Sequence, residues 1–151
     1  MLLRYQKLRP DAYSPETVYG MDLGIDLRTP EAVMIAAKSS QVIDTGLRIQ
    51  IPEVPQTLKP DFILGCFIWS KSGLSVKSNI EKGAGVIDPG YTGSLQIKLY
   101  NHGDQNVLFA RGDKIAQMVF MLCAHIDQVE ESNLDDWQTE RGAKGFGSSG
   151  R

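Results

Sequence analysis

A carboxylate and a phenol stand three residues apart in a glycine-rich segment. Asp88 and Tyr91 belong to the run GAGVIDPGYTG, which covers residues 83–93. Glycines on both sides allow a ligand to approach the backbone closely, and the two side chains would project into the space beside that ligand. Read alone, the run also fits an ordinary β-hairpin with an Asp-Pro-Gly turn.

A second segment has the residue types of an anion-binding site. Residues 69–74 read WSKSGL, with two hydroxyls, one glycine and the ammonium group of Lys71. Serine hydroxyls and free backbone N–H groups around a glycine can form an anion-binding nest, to which lysine adds a point charge. The alternative interpretation is a solvated turn.

Two further segments combine glycine with charge. Residues 111–117 read RGDKIAQ. We expect a hairpin corner there rather than an adhesion motif, because the chain shows no secretory features. Residues 141–151 read RGAKGFGSSGR and surround Phe146 with glycine, serine and positive charge. Such a tail can wrap a phosphorylated aromatic ligand, or it is a disordered end.

The fifth feature is a repeated pattern. Gly-x-Asp-Leu occurs twice within residues 20–27, as GMDL with Asp22 and as GIDL with Asp26. A glycine beside an aspartate is most often a turn or the kinked start of a strand, so nothing local distinguishes the two copies.

The elements that must position these residues are strands. Apolar and polar residues alternate at 47–51 and 95–99, with the period of a β-strand. Residues 62–69 and 115–126 are more uniformly apolar and indicate more fully buried strands. We therefore predict an all-β barrel or sandwich. Residues 31–38, EAVMIAAK, are the one helix-compatible window and fit an irregular strand equally well.

Composition narrows the class of protein. With 151 residues, 42% of them hydrophobic, we expect one domain, 1–132, followed by a mobile arm, 133–151. The formal charge of −2 gives no basic footprint, so we expect no nucleic-acid and no membrane partner. Cys66 and Cys123 lie in apolar surroundings without metal-ligand spacing, which predicts buried, reduced thiols.

The sequence shows no segment that is typical of targeting or of a membrane span. No apolar run approaches the ~20 residues that span a bilayer, and the first five residues, MLLRY, are too polar for a signal peptide. We expect a soluble, intracellular protein of the cytoplasm or nucleus.

Taken in order, the five segments resemble the five motifs of the homotrimeric dUTPase family. The family pattern is roughly A-G-x-D-L, R-S-G or R-S-S, G-V-I-D-x-x-Y-x-G, G-D-R-I-A-Q and R-G-x-x-G-F-G-S-T-G. The matching stretches here are residues 24–27, 71–73, 85–93, 112–117 and 141–150. The family's spacing to the proline that ends the next long strand, here Pro52, selects the second copy of Gly-x-Asp-Leu. Asp22 is then expected to be structural or exposed.

The resemblance implies a fold and a reaction. The family fold is a jelly-roll-like β-barrel (β-clip) that assembles as a homotrimer, with active sites shared between subunits and closed by a flexible C-terminal arm. The implied reaction is hydrolysis of dUTP to dUMP and pyrophosphate, with Mg²⁺ on the triphosphate. This reaction limits uracil incorporation into DNA and supplies dUMP for dTMP synthesis.

The resemblance also implies residue roles. Asp88 would orient and deprotonate the water that attacks the α-phosphorus, and the Tyr91 ring would exclude a 2′-hydroxyl by collision. Asp26 would reach the magnesium ion through water. The other substrate contacts would come from Gly85, Ile87 and Gln96 at the base, from Lys71, Ser72, Gly73 and Gln117 at the phosphates, and from Arg141, Phe146, Gly147, Ser148 and Ser149 in the arm. Because ordering costs about 1 kcal/mol or more per residue, we expect the arm to close only over bound nucleotide.

The sequence departs from the family pattern at three positions. Lys71, Lys114 and Ser149 stand where arginine, arginine and threonine are usual. Lysine cannot reproduce the two-pronged contact of arginine, so we expect altered phosphate contact at position 71 rather than loss of activity. Two rival functions are a regulatory module that has lost catalysis, against which the retained motifs argue, and the related dCTP deaminases, which share the barrel.

Overall fold

The computed structural model describes residues 1–144. Within that range the chain forms eleven strands and one α-helix, apart from a short 3-10 turn. The first six strands are β1 (Arg4–Lys7), β2 (Ile25–Arg28), β3 (Val33–Ile35), β4 (Ser39–Asp44), β5 (Leu47–Gln50) and β6 (Phe62–Trp69). They are followed by α1 (Ser72–Ser78), β7 (Ile80–Gly83), β8 (Val86–Ile87), β9 (Gln96–Asn101), β10 (Val107–Phe109) and β11 (Lys114–Ala124).

All strand pairs are antiparallel. The largest sheet has the order β2-β11-β6-β8, and a second has the order β4-β9-β7. Two smaller pairs, β1-β5 and β3-β10, complete the barrel wall. This jelly-roll-like arrangement confirms the predicted all-β fold.

The core follows the period-two pattern of the sequence. In β9 the side chains of Ile97 and Leu99 are buried, and in β5 those of Leu47 and Ile49 are buried, while the residues between them face outward. The prediction of a more fully buried strand at residues 115–126 is wrong for the second half of that range. β11 buries Ile115 through Met118, apart from Gln117, but leaves Met121 and Leu122 exposed on the surface of the single chain.

The helix lies in a place that the sequence does not signal. Residues 31–38 contain the short strand β3, whereas α1 has the sequence SGLSVKS, which is poor in strong helix formers and carries no buried residue. The helix ends at Asn79, whose φ of 51° is left-handed and whose N–H bonds back to the carbonyls of Leu74 and Ser75. This end cap and the packing of α1 on β7 stabilise a segment with little propensity of its own.

The predicted hairpin corner at residues 111–113 is also wrong in one respect. A turn does form there, since the N–H of Asp113 bonds to the carbonyl of Ala110. However, β10 pairs with β3, while β11 pairs with β2 and β6. The turn therefore joins two sheets instead of two paired strands.

The two cysteines differ in exposure. Cys66 is completely buried, as predicted, whereas Cys123 is partly exposed, so the expectation of a second buried thiol is wrong. Both thiols are free. Burial raises the pKa of the Cys66 thiol to about 12, which keeps it protonated at neutral pH.

We therefore expect Cys66 to resist alkylation in the folded protein. Iodoacetamide reacts with the thiolate, and neither thiolate nor access is present at this position. Peptide mass spectrometry after treatment at pH 8 should find position 66 unmodified in native protein and modified in guanidinium chloride. Rapid native labelling of Cys66 would contradict the buried placement.

Among residues 1–144, no helix has both the length and the hydropathy that a membrane span needs.

Candidate active site

Three segments of the large sheet bring their polar residues into one row. Asp26 of β2 pairs with Gln117 of β11, and Gln117 pairs with Trp69 at the end of β6. Lys71 follows two residues later, at the N-cap of α1. The sequence segments that contain Asp26, Lys71 and Gln117 are thus neighbours in space, although up to ninety residues separate them in the chain.

A buried carboxylate lies between two ammonium groups at this row. The Lys71 Nζ contacts Oδ1 of Asp26, and the Lys114 Nζ lies 2.6 Å from its Oδ2. Asp26 is 2% exposed, while both lysine side chains retain partial access to solvent. Burial alone would raise the pKa of Asp26, but the hydrogen bonds from Lys114 and Lys71 outweigh it and lower that pKa. We call Asp26, Lys71 and Lys114 the lysine–aspartate cluster; it carries one net positive charge.

The two copies of Gly-x-Asp-Leu have different surroundings. Asp22 is exposed and accepts a hydrogen bond from the Tyr19 N–H in a surface turn, whereas Asp26 is enclosed by the cluster. The glycine of the second copy is also fixed sterically, because a Cβ on Gly24 would lie 2.0 Å from Oε1 of Gln117. The choice of the second copy agrees with this placement.

The loop that follows β6 is tied to β7 by a residue that the sequence analysis missed. Ser70 Oγ donates to Oε2 of Glu81 at 2.6 Å, and Ser75 Oγ donates to the other oxygen. These bonds, from Ser70 first, lower the pKa of Glu81. Gln117 adds a bond from its Nε2 to the carbonyl of Ser70 at 3.1 Å. The sequence gives no signal for the bonds to Glu81, because its two serine partners lie 6 and 11 positions away and form no recognisable motif with it.

The first turn of α1, which follows this loop, has an open side that is free of packing. Ser72 and Gly73 are both exposed, and a Cβ added at Gly73 would meet no atom within 4 Å. The first turn of α1 can therefore receive a ligand next to Lys71 without displacing protein atoms.

The glycine-rich segment forms a second site. β7 and β9 are paired, but residues 84–95 between them form a long excursion that includes β8. The predicted Asp-Pro-Gly turn does form inside this excursion, where the N–H of Tyr91 bonds to the carbonyl of Asp88 at 3.0 Å, but it does not join β7 directly to β9. Near the start of the excursion lies Gly85, where φ is 132° and a Cβ would lie 2.9 Å from the carbonyl oxygen of Ile68. Only glycine fits this position without strain.

A cavity of about 190 Å³ opens in the excursion. We call it the hairpin pocket. Its walls are Val86, Ile87, Asp88, Tyr91 and Gln96. Four of the five residues were singled out from the sequence; Val86 is the addition. The hairpin pocket therefore has an apolar wall and presents one carboxylate, one phenol and one amide.

The hairpin pocket and the lysine–aspartate cluster lie apart within one chain. Ile87 pairs with Cys66, whereas Lys71 lies five positions further along, just beyond the end of β6. At about 3.3 Å per strand residue this corresponds to roughly 16 Å. Asp88 is one residue further away still, because β8 runs antiparallel to β6.

The predicted arm residues are mostly beyond the described part of the chain. Arg141 is exposed and its Nε donates to the carbonyl of Lys144 at 3.1 Å, so it touches neither site. Phe146, Gly147, Ser148 and Ser149 lie outside the described residues.

Within residues 1–144 no cluster of three or more His, Cys, Asp or Glu side chains offers a ready metal cage. Asp26 has both oxygens engaged by ammonium groups, so it cannot also be a direct metal ligand in this arrangement. The residues fit a metal only in the predicted indirect way, with a ligand supplying most of the coordination and Asp26 reaching it through water.

Comparison with known proteins identifies the same family. The family model described as dUTPase matches residues 11–150. The deoxyuridine 5′-triphosphate nucleotidohydrolase of avian adenovirus 8 is 38% identical over 98% of this chain and 84% of its own length. That of Gloeothece citriformis is 36% identical over 99% of this chain and 97% of its own.

Solved structures agree in fold. The dUTPase of Staphylococcus bacteriophage 80alpha with dUPNHPP superposes with a TM-score of 0.84 at 26% identity, covering 99% of both chains. A mutant dUTPase from phage phi11 of S. aureus, which coordinates a structural Mg(II) ion, has a TM-score of 0.71 at 25% identity, covering 87% of this chain and 98% of its own.

Proposed function

The chain belongs to the dUTPase family, and from this premise we propose that it hydrolyses dUTP to dUMP and pyrophosphate by attack of water on the α-phosphorus. The observation that carries the proposal is the hairpin pocket, in which a carboxylate, a phenol and an amide surround a space of about 190 Å³. Its walls supply both a base and the contacts that a nucleoside needs.

The hairpin pocket is suited to hold uracil and to deliver water. Backbone groups at Gly85 and Gln96, together with Ile87, would match the donor–acceptor edge of uracil and mismatch that of cytosine. Asp88 would then orient the attacking water and accept its proton. Tyr91 would pack on the deoxyribose, where a 2′-hydroxyl would collide with the ring.

The lysine–aspartate cluster is suited to hold the phosphates. Hydrolysis at phosphorus needs positive charge on the non-bridging and leaving oxygens. Lys71 would turn from Asp26 toward the triphosphate, joined by the exposed groups of Ser72 and Gly73 and by Gln117 near the α-phosphate. Lys114 keeps Asp26 paired when Lys71 leaves, so the carboxylate is not left without a partner.

Magnesium bound to the triphosphate would neutralise charge that the protein leaves uncovered. Asp26 is the residue that would hold the ion's water shell, and its Oδ1 becomes available only after Lys71 has turned away. The same nucleotide thus recruits the lysine and frees the carboxylate.

We further propose that the active sites are shared in a homotrimer. Asp88 and Lys71 must both act near the α-phosphorus, yet the register of β8 on β6 puts their backbone positions roughly 16 Å apart within one chain. A neighbouring subunit can bring its own cluster to the hairpin pocket. Large apolar side chains that a partner could cover are exposed at Phe62, Met121, Leu122, Ile126, Val129, Leu134 and Trp137.

The C-terminal part fits a separate arm in this scheme. The last strand ends at Ala124, and residues 125–144 include no further strand or helix. We keep the division into a barrel, 1–132, and an arm, 133–151, in which Arg141 would contact phosphates, Phe146 would stack on uracil, and Gly147, Ser148 and Ser149 would hold the γ-phosphate. In the cell the reaction would limit uracil in DNA and supply dUMP for dTMP synthesis.

An assay of pyrophosphate release from dUTP with Mg²⁺ tests the proposal directly, with dCTP and UTP as comparison substrates. We expect release from dUTP alone, and a solution mass close to three times the chain mass of 16.7 kDa. Ammonia from dCTP would identify a deaminase instead. Nucleotide binding without turnover would identify a module that has lost catalysis, and a stable monomer would contradict the shared sites.

The two lysines that replace family arginines contact the same carboxylate, which predicts that their substitutions are coupled. An arginine at either position can occupy both oxygens of Asp26 and displace the other lysine. Lys71→Arg and Lys114→Arg should therefore each raise KM for dUTP about tenfold, by loss of roughly one charge-assisted contact. Steady-state kinetics on both single variants and the double variant provide a double-mutant cycle. Strict additivity of the two effects would contradict the coupling.

A further inference from the structure

Tyr91 is held in one orientation by its own loop. Its hydroxyl donates to the carbonyl oxygen of Ser94 at 2.8 Å. The ring lies directly over Gly93, where a Cβ would be 2.4 Å from the Tyr91 hydroxyl and 2.6 Å from Cζ. The φ of Gly93 is not in the left-handed region, so its glycine is needed for space and not for backbone freedom.

Ser94 is in turn fixed to the turn at the end of β4, the strand that pairs with β9. Its Oγ contacts Oδ1 of Asp44, which also accepts the N–H of Gly46 at 2.8 Å. The next residue, Leu95, is fully buried, and its N–H bonds to the carbonyl of Leu47 at 2.7 Å. The carbonyl that receives the Tyr91 hydroxyl therefore has little freedom to move.

This tether is needed because the ring has open space on two sides. Tyr91 borders the hairpin pocket, and it also borders a separate cavity of about 530 Å³ together with Pro89 and Thr92. Without the hydrogen bond, the ring could rotate toward the larger cavity at little steric cost. A wall that yields in this way rejects an added hydroxyl poorly, since apolar pockets exclude such an isostere by only about a hundredfold.

We propose that Asp44, Gly93 and Ser94, here called the tyrosine seat, determine the sugar specificity of the enzyme by holding the Tyr91 ring against the 2′-position. The inference rests on the proposed function, in which Tyr91 meets the deoxyribose. Asp44 is a positioning residue: it acts through Ser94 and touches no substrate. Asp44 lies outside all five motifs.

The readout is the ratio of kcat/KM for dUTP to that for UTP. This ratio would stay unchanged if the residues of the tyrosine seat only stabilised the fold. Asp44→Ala removes the acceptor for Ser94, Tyr91→Phe removes the phenol donor, and Gly93→Ala fills the space under the ring. We expect each to lower the ratio at least tenfold, by the loss of about one hydrogen bond or by displacement of the ring. Asp44→Asn keeps an acceptor oxygen and should retain a ratio near that of the parent.

Asp22→Ala is the matched control. Asp22 also caps a turn, by accepting the N–H of Tyr19 at 3.0 Å, but it lies in a different part of the fold. We expect its ratio to be unchanged. If Asp44→Asn lowers the ratio as much as Asp44→Ala, the effect is one of charge and the hydrogen-bonded tether is wrong.

Tyr91→Ala separates failure of this inference from failure of the proposed function. A lower ratio in Tyr91→Ala, with unchanged ratios in Asp44→Ala and Gly93→Ala, would overturn the tyrosine seat alone. An unchanged ratio in Tyr91→Ala would overturn the sugar role of Tyr91 itself. Thermal melting of each variant, at one protein concentration, identifies any change that is due to unfolding.

Discussion

Replacing Asp88 by asparagine should lower kcat for dUTP by about a thousandfold, the usual range for loss of a general base. Asparagine keeps the size of the side chain and its ability to orient water, but it cannot accept the proton. KM should change little, because Asp88 is assigned to the water and not to the nucleotide. Pre-steady-state and steady-state assays with Mg²⁺ measure both quantities.

Asp104→Asn is the control for this change. Asp104 is 85% exposed and pairs only with Lys38 on the surface, an interaction of small energetic value. It should leave kcat within about twofold and stability within about 0.5 kcal/mol. A properly folded Asp88→Asn protein with near-parent turnover would show that another group activates the water.

Mixed trimers test whether the base and the phosphate contacts come from different chains. Asp88→Asn lacks the base and Lys71→Met lacks the phosphate cation, so each alone should be nearly inactive. If a site takes its two halves from different subunits, then random reassembly of equal amounts should restore about a quarter of the sites, since each half has an even chance of being intact. Sites built within one chain would show no recovery.

Two strands of the barrel, β5 and β9, could be predicted because their signal is local. Alternating residues at 47–51 and 95–99 describe a surface with one buried face, and the structure buries that face. The helix α1 could not be predicted in this way, because its stability comes from an end cap and from packing on β7. The exposed end of β11 follows from a similar limit: its uniform hydrophobicity predicts burial without saying whether the covering surface belongs to the same chain.

Side-chain partners were harder to predict than the motif residues themselves. The five motifs indicate that Asp26, Lys71 and Asp88 matter, but not that Asp26 lies between Lys71 and Lys114. Contacts such as that of Glu81 with Ser70, or of Asp44 with Ser94, join residues in different strands and loops. Sequence spacing carries no information on such contacts until the register of the sheets is known.

Replacing Asp26 by asparagine should lower the free energy of unfolding by about 3 kcal/mol, because it removes the charge that two lysines share. The value lies at the lower end of the range for a broken buried pair, since both lysines have partial access to water. The melting temperature should fall by about 6–12 °C for a chain of this size. Asp22→Asn, in the other Gly-x-Asp-Leu copy, is exposed and should change stability by less than about 0.5 kcal/mol.

The dependence of this difference on pH tests its cause. The pKa of Asp26 is lowered in the folded state, so the stabilisation by its charge is complete above the ordinary carboxylate range, near pH 4, and is lost as the pH falls through the folded pKa. The difference in unfolding free energy between parent and Asp26→Asn should thus be constant from pH 6 to 8 and shrink in stronger acid. Urea unfolding at fixed protein concentration measures it. Equal effects of Asp22→Asn and Asp26→Asn at neutral pH would show that the lysine–aspartate cluster does not stabilise the barrel.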